Sequence, residues 1–281
     1  MIEFGPSGLC EYMEEQGADI LKVPKILSDL GLKTFEYPFT HGINLRSEKA
    51  KQIGEEFKKY GISLSVHAPY YINFATPDDI QAEKSYGYII SSIKLMKIMG
   101  ADRLVFHPGS LTKQPREVAV ANTKARIKEL MKILDEQGLG TGIYLCPETM
   151  GKHGQIGTVK EIADFCAIDS RIIPTIDFGH VNAFTLGSLK TVEDFENIFK
   201  TFKEVLGERG NIIHGHFSRI CFGEKGELKH INFDSPEEFG PDYKLLNIAL
   251  KNCGIKGRII CESHGHQTLD ALSMFNDYNK L

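Results

Sequence analysis

Seven side chains of the kind that bind divalent metals stand at or just after short apolar runs of the sequence. His67 ends "LSVH", His107 follows the apolar part of "VFHPGS", and Glu148 lies in "YLCPET". Asp177 and His180 lie in "IDFGH", His216 in "HGHF" and Glu262 in "ICES". A lone histidine in such a place is usually packed or hydrogen-bonded in the core. Here six β-prone runs each deliver a His, Asp or Glu at the same end, which independent core histidines or surface carboxylates do not explain. Carboxylates at the ends of apolar strands are costly to bury unpaired. Neutral imidazoles beside them suit zinc or manganese, with zinc favoured by the histidine count. One carboxylate can bridge two cations, and clustered divalent ions lower the pKa of a bound water and stabilise a displaced oxygen. The chemistry expected of such a set is phosphoester hydrolysis.

Other titratable residues are less decisive. The segment "SRICFGEKGELKHINFDSPEEFGPDY" adds Glu227 and His230, three apart, in a loop that can fold over the same rim or remain a solvated charged surface. Strand alternation points His214 the same way as His216, so periodicity leaves the choice between them open. His41 and His153 fall in loops, where exposed histidine is the ordinary reading, and His264 and His266 follow the last apolar run.

The elements that must position these groups recur along the whole chain. Eight apolar, β-prone runs begin near residues 2, 33, 63, 103, 142, 172, 212 and 258. Between them lie segments of helical periodicity such as "SEKAKQIGEEFKKYG", "YGYIISSIKLMKIMG" and "EVAVANTKARIKELMKILDEQG", each ending at or near a glycine suited to a helix C-terminus. Eight βα units without a compositional break predict one (β/α)8 barrel domain over residues 1–281 rather than a doubly wound sheet. The functional groups of such a barrel gather at the C-terminal ends of its strands. The stripe Ile89, Ile90, Ile93, Leu95 and Met96 is then core packing. No phosphate-cradling GxGxxG is present.

Composition agrees with a folded enzyme or binding protein, at 281 residues, 42% hydrophobic and 25% charged. The formal net charge of −4 argues weakly against a large nucleic-acid footprint, although bound cations can reverse the field at one face. Six scattered cysteines without a CxxC pair fit reduced thiols. No run approaches the roughly 20 apolar residues of a membrane span, and a cytoplasmic location is expected.

The segments "HAPYYINFA", "VFHPGS", "PETMGKHGQIGT", "IDFGHVNAF", "HGHFS" and "CES" resemble, in order and spacing, those of the endonuclease IV family. These are apurinic/apyrimidinic endonucleases with a trinuclear zinc site in an (α/β)8 barrel. The resemblance runs along essentially the full chain. It implies one zinc on His67, His107 and Glu148, a second on Glu148, Asp177, His216 and Glu262, and a third on His180; it thereby selects His216 over His214. It also implies damaged duplex DNA as the partner, with Tyr70 and Tyr71 at the positions that help open the helix at the lesion; the carboxylates ending the fifth and eighth runs, Glu148 and Glu262, are the expected catalytic residues. The family's third metal takes an aspartate and a histidine two apart. Here "GELKH" has one more intervening residue, which leaves His230 and Glu227 as the candidates. The basic loop after the second strand is poorly matched by "PFTHGINLR", which supplies only Arg46 and His41.

Two rivals use the same residues. Sugar isomerases and epimerases of the xylose-isomerase-like barrels hold one metal with a Glu, Asp, His, Glu quartet, available here as Glu148, Asp177, His216 and Glu262. His67, His107 and His230 discriminate, because a one-metal sugar site has no need of three further imidazoles. A non-catalytic metal-dependent binding protein would carry the same ligands.

Overall fold

The computed structural model of the chain describes residues 1–40 and 42–281. Eight parallel strands form its centre: β1 (Ile2–Pro6), β2 (Thr34–Pro38), β3 (Ser63–His67), β4 (Arg103–Phe106), β5 (Tyr144–Pro147), β6 (Thr175–Asp177), β7 (Ile212–Phe217) and β8 (Lys256–Cys261). They run in two four-stranded sheets, in the orders β2-β3-β4-β5 and β1-β8-β7-β6. Two seams join the sheets. At one, Ser7 bridges Glu36 and Lys33 N donates to Phe4 O at 3.1 Å. At the other, Leu145 bridges Ile172, Glu148 bridges Thr175, and Thr149 N donates to Thr175 O at 3.0 Å. The ring so closed is the expected TIM barrel.

The three helices anticipated from periodicity are Ser47–Lys59, Asp79–Met99 and Arg116–Glu136. Gly61, Gly100 and Gly138 follow them with φ of 67°, 72° and 66°, the left-handed conformation that ends a helix at low cost only in residues such as glycine. Ile89, Ile93 and Met96 are fully buried, and Ile90 and Leu95 pack at the margin of the same core. All six cysteines are free thiols. No helix among the described residues is long and apolar enough to cross a membrane.

Two features depart from a plain alternation of strands and helices. The segment after β7, expected as a loop, is an antiparallel hairpin of Arg219–Gly223 against Gly226–Ile231. Arg219 anchors its return: Nε donates to Phe239 O at 2.8 Å and Nη1 to the carbonyls of Asn232, Phe233 and Ser235. The barrel interior is also not purely apolar. Glu36, Ser65, Arg103, His214, His216 and Arg258 are all buried. Arg103 crosses from β4 to donate to Ile213 O, and Arg258 from β8 to Leu64 O and Asp102.

Candidate metal centre

The site is built around Glu148, which follows β5 and is fully buried. Its backbone N–H donates to Phe106 O at 3.1 Å, extending the sheet register by one residue and turning the side chain into the mouth of the barrel. Oε2 lies 3.2 Å from Nε2 of His67 and 3.2 Å from Nε2 of His107. Oε1 lies 3.2 Å from Nδ1 of His180 and 3.3 Å from Nδ1 of His216. Four imidazoles from four strand ends therefore converge on one carboxylate.

The side chains fall into groups whose donor atoms lie close enough to hold a metal ion. His67, His107 and Glu148 form one, Glu148, Asp177, His216 and Glu262 a second, and His180, Glu227 and His230 a third. The local backbone explains several orientations. Nδ1–H of His67 donates to Ala68 O at 2.8 Å, which leaves Nε2 turned toward Glu148 and the cluster. Asp177 caps the short helix Phe178–Phe184, its Oδ1 accepting from His180 N at 2.7 Å, which brings His180 over the site one turn later. Its other oxygen, Oδ2, is buried with no hydrogen bond of acceptable geometry among the described residues, its charged neighbour being Nδ1 of His180 at 3.3 Å, and a bound cation would complete it.

The third group depends on an irregular strand. Residues three apart on a regular strand face opposite ways. In the hairpin, Cys221 pairs with Lys229 and Phe222 with Glu227, so Leu228 is an extra, exposed residue. This bulge restores the phase and puts Glu227 and His230 on the same side, their nearest atoms 3.9 Å apart, with Glu227 Oε2 3.5 Å from His180 Nε2. The additional residue in "GELKH" is thus accommodated. Gly151 makes room for the approach: a Cβ there would lie 2.8 Å from Glu227 Cβ and 3.0 Å from His180 Cδ2.

Tyr70 is half exposed, with its ring stacked on His107 at 4.9 Å and edge-on to His67 at 5.3 Å. Tyr71 is also half exposed and stands near Tyr88. Both line a cavity of about 460 Å³ that opens beside His107. Arg46 is exposed ahead of the helix Ser47–Lys59, and His41 lies outside the described residues. His153, which donates Nε2–H to Phe184 O, and His264 and His266 join none of the groups.

His214 does point inward with His216, but it sits one pleat lower, with Nε2 2.9 Å from Glu36 Oε2. Burial, reinforced by the charges of His216 and Arg103, overcomes the pull of Glu36 and lowers its pKa to about 4. Glu36 is the participant that sequence reasoning missed. The only signal was a carboxylate within the β-prone run "KTFEYP".

Electrostatics bind the cluster together. Burial opposes the charge of Glu148, yet the surrounding imidazoles, His216 and His107 first, hold its pKa well below the ordinary 4.5. Burial likewise opposes protonation of His180, but Asp177 and then Glu148 lift it from 6.5 to about 10. His67 is raised and His107 lowered although both face the same oxygen. Burial opposes protonation of both; Glu148, Glu36 and Glu262 raise His67, while the charges of His67 and His180 leave His107 the neutral one.

Comparison with known proteins places the chain. Residues 24–278 match the xylose isomerase-like TIM barrel family, and the chain belongs to that family. It is 32% identical over 284 residues to an uncharacterized protein of Methanocaldococcus jannaschii, covering 100% of this chain and 98% of the relative. It is 26% identical over 223 residues to a probable endonuclease 4 of Aquifex aeolicus, covering 75% of this chain and 77% of that protein. Among solved structures, endonuclease IV from Thermus thermophilus superposes with a TM-score of 0.69 at 16% identity, covering 99% of each chain. A D-tagatose 3-epimerase-like protein superposes with a TM-score of 0.71 at 20% identity, covering 99% of this chain and 97% of that one. The structural likenesses share the barrel fold.

The raised pKa of His180 makes a prediction for chelator-treated protein. A pKa of about 10 in the fold against 6.5 outside it contributes stability that is complete below about pH 6.5 and disappears as pH rises through 10. The thermal midpoint of metal-free protein should therefore fall between pH 7 and pH 10, and zinc should suppress the fall because its binding displaces the proton. A midpoint equally insensitive to pH with and without zinc would contradict the assigned coupling.

Proposed function

We propose that the chain, residues 1–281 acting as a single barrel domain, is a cytoplasmic, zinc-dependent phosphodiester hydrolase. Its substrate is damaged duplex DNA, cleaved 5′ to abasic sites in base excision repair. The observation that carries this reading is the convergence of His67, His107, His180 and His216 on Glu148, with a separate His180, Glu227, His230 group beside them. The donors exceed what one ion needs. His67, His107 and Glu148 would hold one zinc, Glu148, Asp177, His216 and Glu262 a second, and His180, Glu227 and His230 a third, with manganese an alternative occupant. The donor set, and an Asp177 oxygen buried without a hydrogen bond, fit such cations. Bound there, they supply Lewis acidity that activates water and stabilises the charge leaving with the displaced oxygen.

The chain's own residues do the rest. Glu148, common to the first two groups, would serve both sites. Glu262, the partly exposed carboxylate of its group, orients the attacking water. Tyr70, already stacked on His107, offers an aromatic face where DNA would be opened, with Tyr71 beside it. The relatedness to a probable endonuclease 4 supports this reading. A sugar epimerase is the second reading, favoured by the shared barrel and by the quartet of Glu148, Asp177, His216 and Glu262, which a one-metal sugar site also uses.

Zinc-replete protein should nick duplex DNA 5′ to an abasic site, leaving a 3′-hydroxyl, with chelator abolishing cleavage. Glu148→Gln and Glu262→Gln should each eliminate it in folded protein. Tyr70→Ala should slow duplex cleavage more than single-stranded cleavage, since only the duplex demands unstacking. Intact abasic duplex together with ketose epimerisation would establish the sugar-enzyme reading instead.

Substituting His180 or His230 by Ala should reduce bound zinc by about one ion per chain, because losing one of few protein ligands sharply weakens a site. Unchanged zinc content in His230→Ala, read by elemental analysis, would remove the hairpin from the metal centre.

A further inference from the structure

Beneath the rim, Glu36 is fully excluded from water. Its Oε2 accepts from Ser65 Oγ at 2.9 Å and lies 2.9 Å from Nε2 of His214. Its Oε1 has no hydrogen-bond partner of acceptable geometry among the described residues, but stands 3.0 Å from Nε2 of His216, which likewise has none. The opposite nitrogen of that ring, Nδ1, faces Glu148 Oε1 at 3.3 Å and Glu262 Oε2 at 3.5 Å. The imidazole of His216 thus spans the distance between Glu36 below and the metal-binding carboxylates above.

Glu36, His214 and His216 are close enough to hold an ion of their own. Arg103 argues against that use. Its Nη1 faces Nδ1 of His214 at 3.5 Å, and a guanidinium can only donate. Nδ1 of His214 is then the acceptor and Nε2 carries the proton toward Glu36, so neither nitrogen offers a free lone pair to a cation. The guanidinium also places a fixed positive charge beside the group.

Resting on the metal-centre reading above, we propose that Glu36 is the positioning residue of that centre. By accepting the Nε2 proton of His216 it fixes the ring's tautomer and turns Nδ1 toward a cation shared with Glu148, Asp177 and Glu262. The 3.0 Å separation is that of a hydrogen bond, although the ring lies off its line. Ser65 and His214 hold the carboxylate in place. Partners of this kind orient ligating histidines and raise their basicity.

The test is competition between zinc-loaded protein and a chromophoric chelator, with the thermal midpoint of each metal-free variant as a control on folding. In Glu36→Gln, which keeps the side chain's size, one ion should leave about 10–100-fold more readily while the others are held as in wild type. The hydrogen-bonded imidazole N–H resonance of His216 should shift or vanish at the same time. Ser65→Ala, which removes one donor from Glu36 and leaves the carboxylate present, should give a smaller effect on the same ion and supplies the test if Glu36→Gln does not fold. Wild-type retention of every ion in the folded variants, with the His216 resonance unchanged, would overturn the proposal. Loss from Glu36→Gln of an additional, fourth ion bound by wild type would also overturn it, making Glu36 a ligand. Wild-type protein that binds no zinc would overturn the metal-centre reading itself and this inference with it.

Discussion

A carboxylate sealed from water at the mouth of a barrel must have its charge met by what surrounds it, and Glu148 imposes that demand on the whole structure. The cost of leaving such a group unpaired is several kcal/mol or more. Four imidazoles meet it from the ends of β3, β4, β6 and β7 or the turns that follow, within 3.2 to 3.3 Å of its two oxygens. No single sheet edge presents side chains from so many directions. A closed ring of parallel strands does, because every strand ends on the same face. The two thin seams, at Ser7–Glu36 and at Glu148–Thr175, are consequently part of the site's construction as well as of the fold.

The same demand extends outward and downward. Outward, His180 is shared between Asp177 and Glu148 on one side and Glu227 on the other, so the hairpin after β7 is coupled to the centre through one ring. The bulge at Leu228 and the missing side chain at Gly151 are what allow Glu227 to reach it. Downward, His216 connects to Glu36, and Glu36 through His214 to Arg103. Glu148, His216 and Glu36 alternate in sign along this path, and the neutral His214 separates Glu36 from Arg103.

Much of this was legible in the order of residues. The eight apolar runs and the glycines after three helices give the barrel, and acidic or imidazole residues at six strand exits mark its functional face. Three aspects were not legible. A strand bulge leaves little local trace, so the spacing of Glu227 and His230 reads as a departure although the backbone corrects it. His214 and His216 share a face by alternation, and only their depth in the barrel, one beside Arg103 and one beside Glu148, distinguishes them. Glu36 is a lone carboxylate in a β-prone run, and its partners come from β3 and β7, far away in sequence.

The central claim is that Glu148 and its surrounding imidazoles form a centre for several cations rather than a single-ion site. Elemental analysis of protein purified without chelator tests this most directly. Three zinc ions per chain is the predicted result, one for each group built on His67, His216 and His180. One ion per chain, held by the quartet of Glu148, Asp177, His216 and Glu262, would contradict it.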